Sequence, residues 1–221
     1  MKKLLFLVSG SGGSLKFIYE FSKLNHLPLA IDYVIGDRKC GAIDYAIDNK
    51  IKQTIINFSS EKGLEQLKNI LSKTSPDMII TNVHKIIPEN ILNLFPNKFL
   101  NLHYSLLPAF KGLIGMKTID VAEENNVKFI GCTCHIIDEK LDEGTIISQA
   151  VKPVEWSQPK EIIHNNIFQA SCLILINSII DILGVETSFV LSIKEFNHTI
   201  YNPSLMFDPS KLTDLFWKKI K

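Results

Sequence analysis

Residues Leu4–Val8 form an uninterrupted apolar run that stops at a Gly/Ser turn, Ser9–Ser14. A strand with one wet face alternates apolar and polar residues. A strand with no polar position is covered on both faces, as in a parallel sheet flanked by helices. After the turn, Phe17, Phe21 and Leu24 recur at i, i+4 and i+7, the period of a helix. The order then repeats. Strand-like Ala30–Ile35, Thr54–Phe58, Met78–Thr81 and Phe99–His103 alternate with helix-like Ala42–Asn49 and Leu64–Leu71. Such alternation builds right-handed βαβ crossovers, so the expected fold is α/β, Rossmann-like and doubly wound, with a mostly parallel sheet.

The second half departs from this rule. A helix is expected over Thr118–Asn125, and Phe129–Ile137 and Thr145–Val154 read as two strands joined by a short charged turn, hence antiparallel. Lys160–Leu183 reads as one long helix with Ser157 as its N-cap. From Glu186 onward only short strand-like runs remain, Phe189–Ile193 and Thr199–Tyr201, before an aromatic end at Phe216 and Trp217. The expected organisation is one domain over 1–185 with an extension, 186–221. That extension either packs on the domain or forms an interface such as a homodimer contact.

Composition excludes several classes. With 24 basic and 23 acidic residues the net charge is +1, which leaves no electrostatic footprint for nucleic acid or an anionic membrane. Four cysteines (Cys40, Cys132, Cys134 and Cys172) are too few and too irregular for a disulfide framework and suit a reducing cytoplasm. The first apolar run is shorter than the roughly 7–15 residues of a signal h-region. The stretch Cys172–Leu183 is shorter than the ~20 residues of a membrane span and reads as a core helix.

Three polar residues stand where chemistry is expected. Asn101 and His103 are two apart on a strand running into a loop, so both point to one face. Open α/β sheets bind ligands at such strand ends. Asp142 follows another apolar strand, in a turn rich in charge and glycine. A third candidate is the turn itself: Gly12, Gly13 and Ser14 precede a helix, where backbone N–H groups favour a phosphate, although a ligand-free tight turn has the same sequence. Leu15 occupies the last glycine position of the dinucleotide fingerprint. An oxidoreductase then rests only on Asp32 or Asp37 as a ribose-binding acid. Cys132, Cys134 and His135 suggest a metal, but His135 falls on the opposite strand face from the two thiols and no second ligand pair follows at zinc spacing. No metal is expected.

The segment NLHYSLLPAFKG, Asn101–Gly112, resembles the N-[IL]-H-x-S-L-L-P loop of the 10-formyltetrahydrofolate-dependent formyltransferases. The later segment from Gly131 to Gln149 resembles the same family, with Gly131, Thr133, His135, Asp142, Gly144, Ile146 and Gln149 in register. The resemblance covers residues 4–183 and is densest at 99–112 and 129–149. It implies that Asn101, His103 and Asp142 are catalytic: Asn101 and His103 donate to an oxyanion, and Asp142 orients His103 and moves protons. It also implies that 10-formyltetrahydrofolate is the co-substrate, its pterin held at the strand end His84, Lys85, Ile86 and Ile87, with Asn101 contacting the formyl group. Tyr104 replaces the Pro common in the purine-pathway enzymes of the family.

The resemblance implies a small-molecule amine as the acceptor. Three departures from the purine-pathway enzymes bear on it: the strand-end residues His84–Ile87, Ile114-Gly115-Met116 where a His-Thr-His is usual, and Gln169-Ala170-Ser171 where a carboxylate is usual. Alanine cannot accept from an amine as a carboxylate can. The sequence therefore points first to a nucleotide-linked amino sugar, as in pseudaminic-type surface-sugar synthesis. Glycinamide ribonucleotide of purine synthesis is the alternative, and a non-catalytic nucleotide- or folate-binding module the alternative of another class.

Overall fold

The computed structural model describes residues 1–189 and 191–220. The chain forms two compact units. The first comprises Met1–Leu100, Leu183–Glu186 and Leu215–Lys221, and the second Asn101–Ile182 and Thr187–Asp214.

In the first unit, β1 (Lys2–Val8), α1 (Gly13–Leu24), β2 (Leu29–Gly36), α2 (Gly41–Asp48), β3 (Lys52–Ile55), α3 (Glu61–Thr74), β4 (Met78–Asn82) and the short α4 (Glu89–Leu92) follow one another. The strands lie in the order β3-β2-β1-β4, and all three neighbouring pairs are parallel. Leu4, Leu5, Phe6 and Leu7 have no exposed surface, which explains the unbroken apolar run: β1 is central and covered on both faces. α3 starts at Ser60, whose Oγ accepts the Gly63 N–H at 3.1 Å, an N-cap contact. The third strand ends earlier than the sequence pattern predicts. Ile56 and Phe58 are buried from the segment that follows it, and the Ile56 N–H still reaches the Gly36 carbonyl of β2 at 2.9 Å.

The helix α7 (Asp214–Lys219) also belongs to this unit. Trp217 stacks on Phe17 of α1 with centroids 5.4 Å apart, and Phe216 meets the same ring edge-on at 5.7 Å. Lys219 pairs with Glu20 at 2.6 Å, and the other oxygen of Glu20 accepts from Tyr45 of α2 at 3.0 Å. The aromatic end is thus a clasp on α1.

The second unit is mixed. Its elements are β5 (Phe99–His103, which begins in the first unit), α5 (Lys117–Glu124), β6 (Phe129–Ile136), β7 (Ile146–Pro153), α6 (Lys160–Leu183), β8 (Ile193–Phe196), β9 (Thr199–Leu205) and a 3-10 turn at Pro209–Lys211. The strands follow the order β5-β6-β7-β9-β8, and β6/β7, β7/β9 and β9/β8 are antiparallel. The expected antiparallel character of the second half is present and extends through three pairs. The strand expected over Phe189–Ile193 includes Val190, which lies outside the described residues; among those described, pairing begins at Ile193.

α6 is long and apolar enough to cross a membrane, but Ala170–Ile180 is buried within the protein, as befits a core helix. Two of its buried polar residues are matched by partners on neighbouring segments. Ser178 shares a hydrogen bond with Ser148 of β7 at 2.7 Å, and Asn177 holds the chain near β9 through the Ser204 carbonyl and the Met206 N–H.

Candidate active site

The second unit brings Asn101, His103 and Asp142 together. The His103 Nδ1 stands 3.4 Å from Asp142 Oδ2, and both side chains are more than nine-tenths buried. The other ring nitrogen, Nε2, is 3.1 Å from the Phe110 carbonyl. Both nitrogens of His103 therefore face oxygens that only accept. A neutral imidazole has one N–H and serves one of them; the imidazolium serves both. The family resemblance makes His103 a donor to an oxyanion, and its Nε2 is engaged by Phe110 in this structure. Asp142 Oδ2 also accepts the Gly112 N–H at 2.8 Å. One short turn, Phe110–Gly112, thus holds the histidine by a carbonyl and the aspartate by an amide.

A fourth residue joins the cluster. The Asn101 Nδ2 is 3.3 Å from His135 Nε2, and His135 Nδ1 is 3.0 Å from the Ile136 carbonyl. Asp142 Oδ1 lies 3.7 Å from the same Nε2, beyond hydrogen-bond length. His135 is 1% exposed. Burial holds its imidazole below the usual range, against the opposing pull of the Ile136 carbonyl and the Asp142 charge. From the sequence His135 reads as a strand-core residue. Alternation already separated it from Cys132 and Cys134, and that signal marks the face on which the cluster lies.

Local backbone explains how the loops reach these positions. Asp142 and Phe110 both adopt left-handed φ, 55° and 59°, uncommon for residues with a Cβ. Aspartate tolerates the region better than most because its short side chain bonds locally. The Asp142 turn is closed by the Ile136 N–H on the Thr145 carbonyl at 2.9 Å and by the Lys140 N–H on Asp138 at 3.0 Å. The loop after β5 is tied down by Thr133 of β6. Its hydroxyl donates to the Ser105 carbonyl at 2.7 Å and accepts from the Leu107 N–H and the Gln149 amide, each at 3.1 Å. Gln149 also donates to the Leu107 carbonyl at 3.1 Å. The motif positions Thr133 and Gln149 are thereby explained as loop anchors, and the Ser105 hydroxyl donates to the Ala109 carbonyl within the loop. Tyr104 points into the interior, where burial beside Cys172 and Cys132 pushes its phenol up.

The remaining sequence-predicted residues lie in the first unit. Gly12 caps α1 with φ 81°, and a Cβ there would meet the Ala42 Cβ at 2.7 Å, so only glycine fits. Ser14 is buried and hydrogen-bonded by Asn82. The His84 N–H donates to Ser9 Oγ at 2.8 Å, which joins the strand end after β4 to the Gly/Ser turn. His84, Lys85 and Ile86 are exposed, whereas Ile87 is buried. Cys132 and Cys134 are free thiols, fully buried and pushed up to about 12 by burial, so they are inert packing groups. Among the described residues no group of three or more His, Cys, Asp or Glu is arranged to hold a metal ion.

Comparison with known proteins gives the cluster its context. Residues 2–179 match the sequence profile of a family described as Formyl transferase. The chloroplastic phosphoribosylglycinamide formyltransferase of Vigna unguiculata is 34% identical over 161 residues, 69% of this chain and 52% of that protein. The phosphoribosylglycinamide formyltransferase of Haemophilus influenzae is 30% identical over 160 residues, 70% of this chain and 74% of that protein. The crystal structure of glycinamide ribonucleotide transformylase 1 from Symbiobacterium toebii superposes with a TM-score of 0.75 at 28% identity, covering 85% of this chain and 94% of that one. The chain spans about half the length of the first plant relatives it matches.

Proposed function

Since the chain belongs to the formyl transferase family, we propose that it moves a formyl group from 10-formyltetrahydrofolate to the primary amine of glycinamide ribonucleotide. The cluster in which His103 stands 3.4 Å from Asp142 and Asn101 meets His135 carries the reading. The similarity to phosphoribosylglycinamide formyltransferases supports the acceptor, and it favours this reading over the nucleotide-linked amino sugar that the sequence places first.

In this mechanism the acceptor nitrogen attacks the formyl carbon and a tetrahedral oxyanion forms. The Asn101 amide donates to that oxyanion beside the buried rings of His103 and His135, where a preorganised donor is worth more than in solution. The bond from carbon to N10 then breaks, the acceptor nitrogen loses a proton and N10 gains one. His103, oriented by Asp142 and the Phe110 carbonyl, handles these protons. The acceptor's phosphate is held at Gly12, Gly13 and Ser14, at the start of α1. The pterin is held at the strand end His84–Ile87, which the His84–Ser9 hydrogen bond ties to that turn.

One observation favours a second acceptor. Ala170 is 3% exposed and offers no carboxylate to an incoming amine, and Ile114-Gly115-Met116 is equally without one. A nucleotide-linked amino sugar remains the alternative on that ground. The test is kcat/KM for both acceptors with 10-formyltetrahydrofolate. Glycinamide ribonucleotide is expected to be the better by a wide margin, since sites built to pair a substrate discriminate by up to ~10⁴–10⁵. Efficient use of the amino sugar alone overturns the acceptor assignment, and no formyl transfer to either overturns the reaction.

A further inference from the structure

We propose that His135 is a positioning residue, one that fixes which way round the Asn101 amide lies and so aims its second N–H at the developing oxyanion. The inference rests on the formyl-transfer reading, in which Asn101 is the oxyanion donor.

A carboxamide has two ends of nearly equal size, one an acceptor and one a double donor. Turned by half a rotation, Asn101 presents an oxygen where a donor is required. A neighbour that can accept but not donate selects the correct orientation. His135 is such a neighbour. Its Nδ1 lies 3.0 Å from the Ile136 carbonyl, which only accepts, so that nitrogen carries the proton. In the neutral ring Nε2 is then a bare lone pair, and it faces Asn101 Nδ2 at 3.3 Å. One amide N–H is satisfied there and the other is directed away from His135. The tautomer is thus set by a backbone carbonyl one residue along, and the tautomer in turn orients a side chain 34 positions distant.

Protonation reverses the arrangement. An imidazolium donates from both nitrogens, so Nε2 repels the amide N–H groups and attracts the amide oxygen. The groups acting on His135 are those of the cluster. The Ile136 carbonyl, the Asp142 carboxylate 3.7 Å away and the Asp138 charge favour the proton, while burial and the charge of His103 oppose it. Burial is the largest influence and keeps the ring neutral to below its ordinary titration range near 6.5. The orientation therefore holds at neutral pH and is lost as pH falls.

The experiment compares wild type, His135→Ala and His135→Gln, with kcat and KM measured from about pH 5 to pH 8. The Gln Oε1 accepts at about the reach of Nε2 and does not titrate. His135→Ala is expected to lower kcat at neutral pH by at least ~10-fold, towards the ~10²–10³ of losing an oxyanion donor. KM for either substrate should change little. His135→Gln, whose amide can donate as well as accept, is expected to restore part of kcat relative to His135→Ala and to lose less of it on acidification than wild type does. An alanine variant with wild-type kcat, or a glutamine variant with the wild-type acid limb, overturns the inference. Imidazole ¹⁵N NMR is the readout independent of turnover. The Nδ1–H tautomer at neutral pH is expected, and an Nε2–H tautomer overturns the proposal even in a fully active enzyme. Failure of the formyl-transfer reading is distinguished by wild type itself, which would then transfer no formyl group at any pH.

Discussion

Gly144 lies so close to Ile136 that a Cβ added to it would sit 1.8 Å from the Ile136 carbonyl oxygen. The turn that projects Asp142 can close only with glycine there, and the same Ile136 carbonyl accepts from His135. Gly144→Ala must open the turn, displacing both the aspartate and the carbonyl. A shift of about 1 Å in a catalytic group costs roughly 10²-fold in rate. The expected result is a kcat lowered by about that factor, with steady-state kinetics as the measurement. Wild-type kcat in this variant would show that Asp142 is not held by the turn.

The cluster itself makes the most direct prediction. His103→Ala and Asp142→Asn should each remove most turnover while the circular dichroism spectrum is unchanged. Asn101→Ala should lower kcat by ~10²–10³ if its amide stabilises the oxyanion. His103→Ala also leaves the Phe110 carbonyl without its 3.1 Å partner, so a modest loss of thermal stability should accompany the loss of rate. Near-wild-type turnover in that variant would remove His103 from the mechanism.

Much of the fold, and the pairing of His103 with Asp142, is legible in the sequence. Alternation along a strand put Asn101 and His103 on one face, and the spacing of the second motif delivered Asp142. The unbroken run Leu4–Val8 announced a central strand, and β1 has its core residues fully buried. Two things were not legible. Periodicity marks the strand face of His135, but its role rests on contacts with Asn101 and Asp142 that periodicity does not encode. The end of the chain gave no helical signal because α7 has only six residues, fewer than two turns, too short for a 3.6-residue pattern to declare itself. Its packing partner, Phe17, is about two hundred positions away in sequence.

Thr133 offers a test of the loop anchors. Thr133→Val keeps the shape and removes the hydroxyl that serves Ser105, Leu107 and Gln149. The buried groups left without a partner should cost ~1–3 kcal/mol of stability. Because the loop also carries the turn that grips His103 and Asp142, kcat should fall further than KM rises. Denaturant unfolding and steady-state kinetics on the same preparation check both statements. Unchanged stability would mean that water replaces the hydroxyl without loss.

The clasp of α7 on α1 gives the last prediction. Trp217 is half-buried against Phe17, and Lys219 reaches the carboxylate of Glu20, which also binds Tyr45. Truncating a fully buried ring costs about 3–5 kcal/mol. A half-buried one that keeps its neighbour Phe216 should cost less, about 1–2 kcal/mol including the lost stacking. At roughly 2–4 °C per kcal/mol for a chain of this size, Trp217→Ala should lower Tm by several degrees. Lys219→Ala should do much less, because the lysine is largely exposed and such pairs contribute about 0–1 kcal/mol. If the Gly/Ser turn at the start of α1 holds the acceptor's phosphate, loosening that helix should raise the acceptor KM in Trp217→Ala more than the folate KM. Thermal melts of both variants, with KM for each substrate, separate a stabilising clasp from one that also sets the binding turn. A Trp217→Ala protein melting with wild type would show that the aromatic stack holds nothing in place.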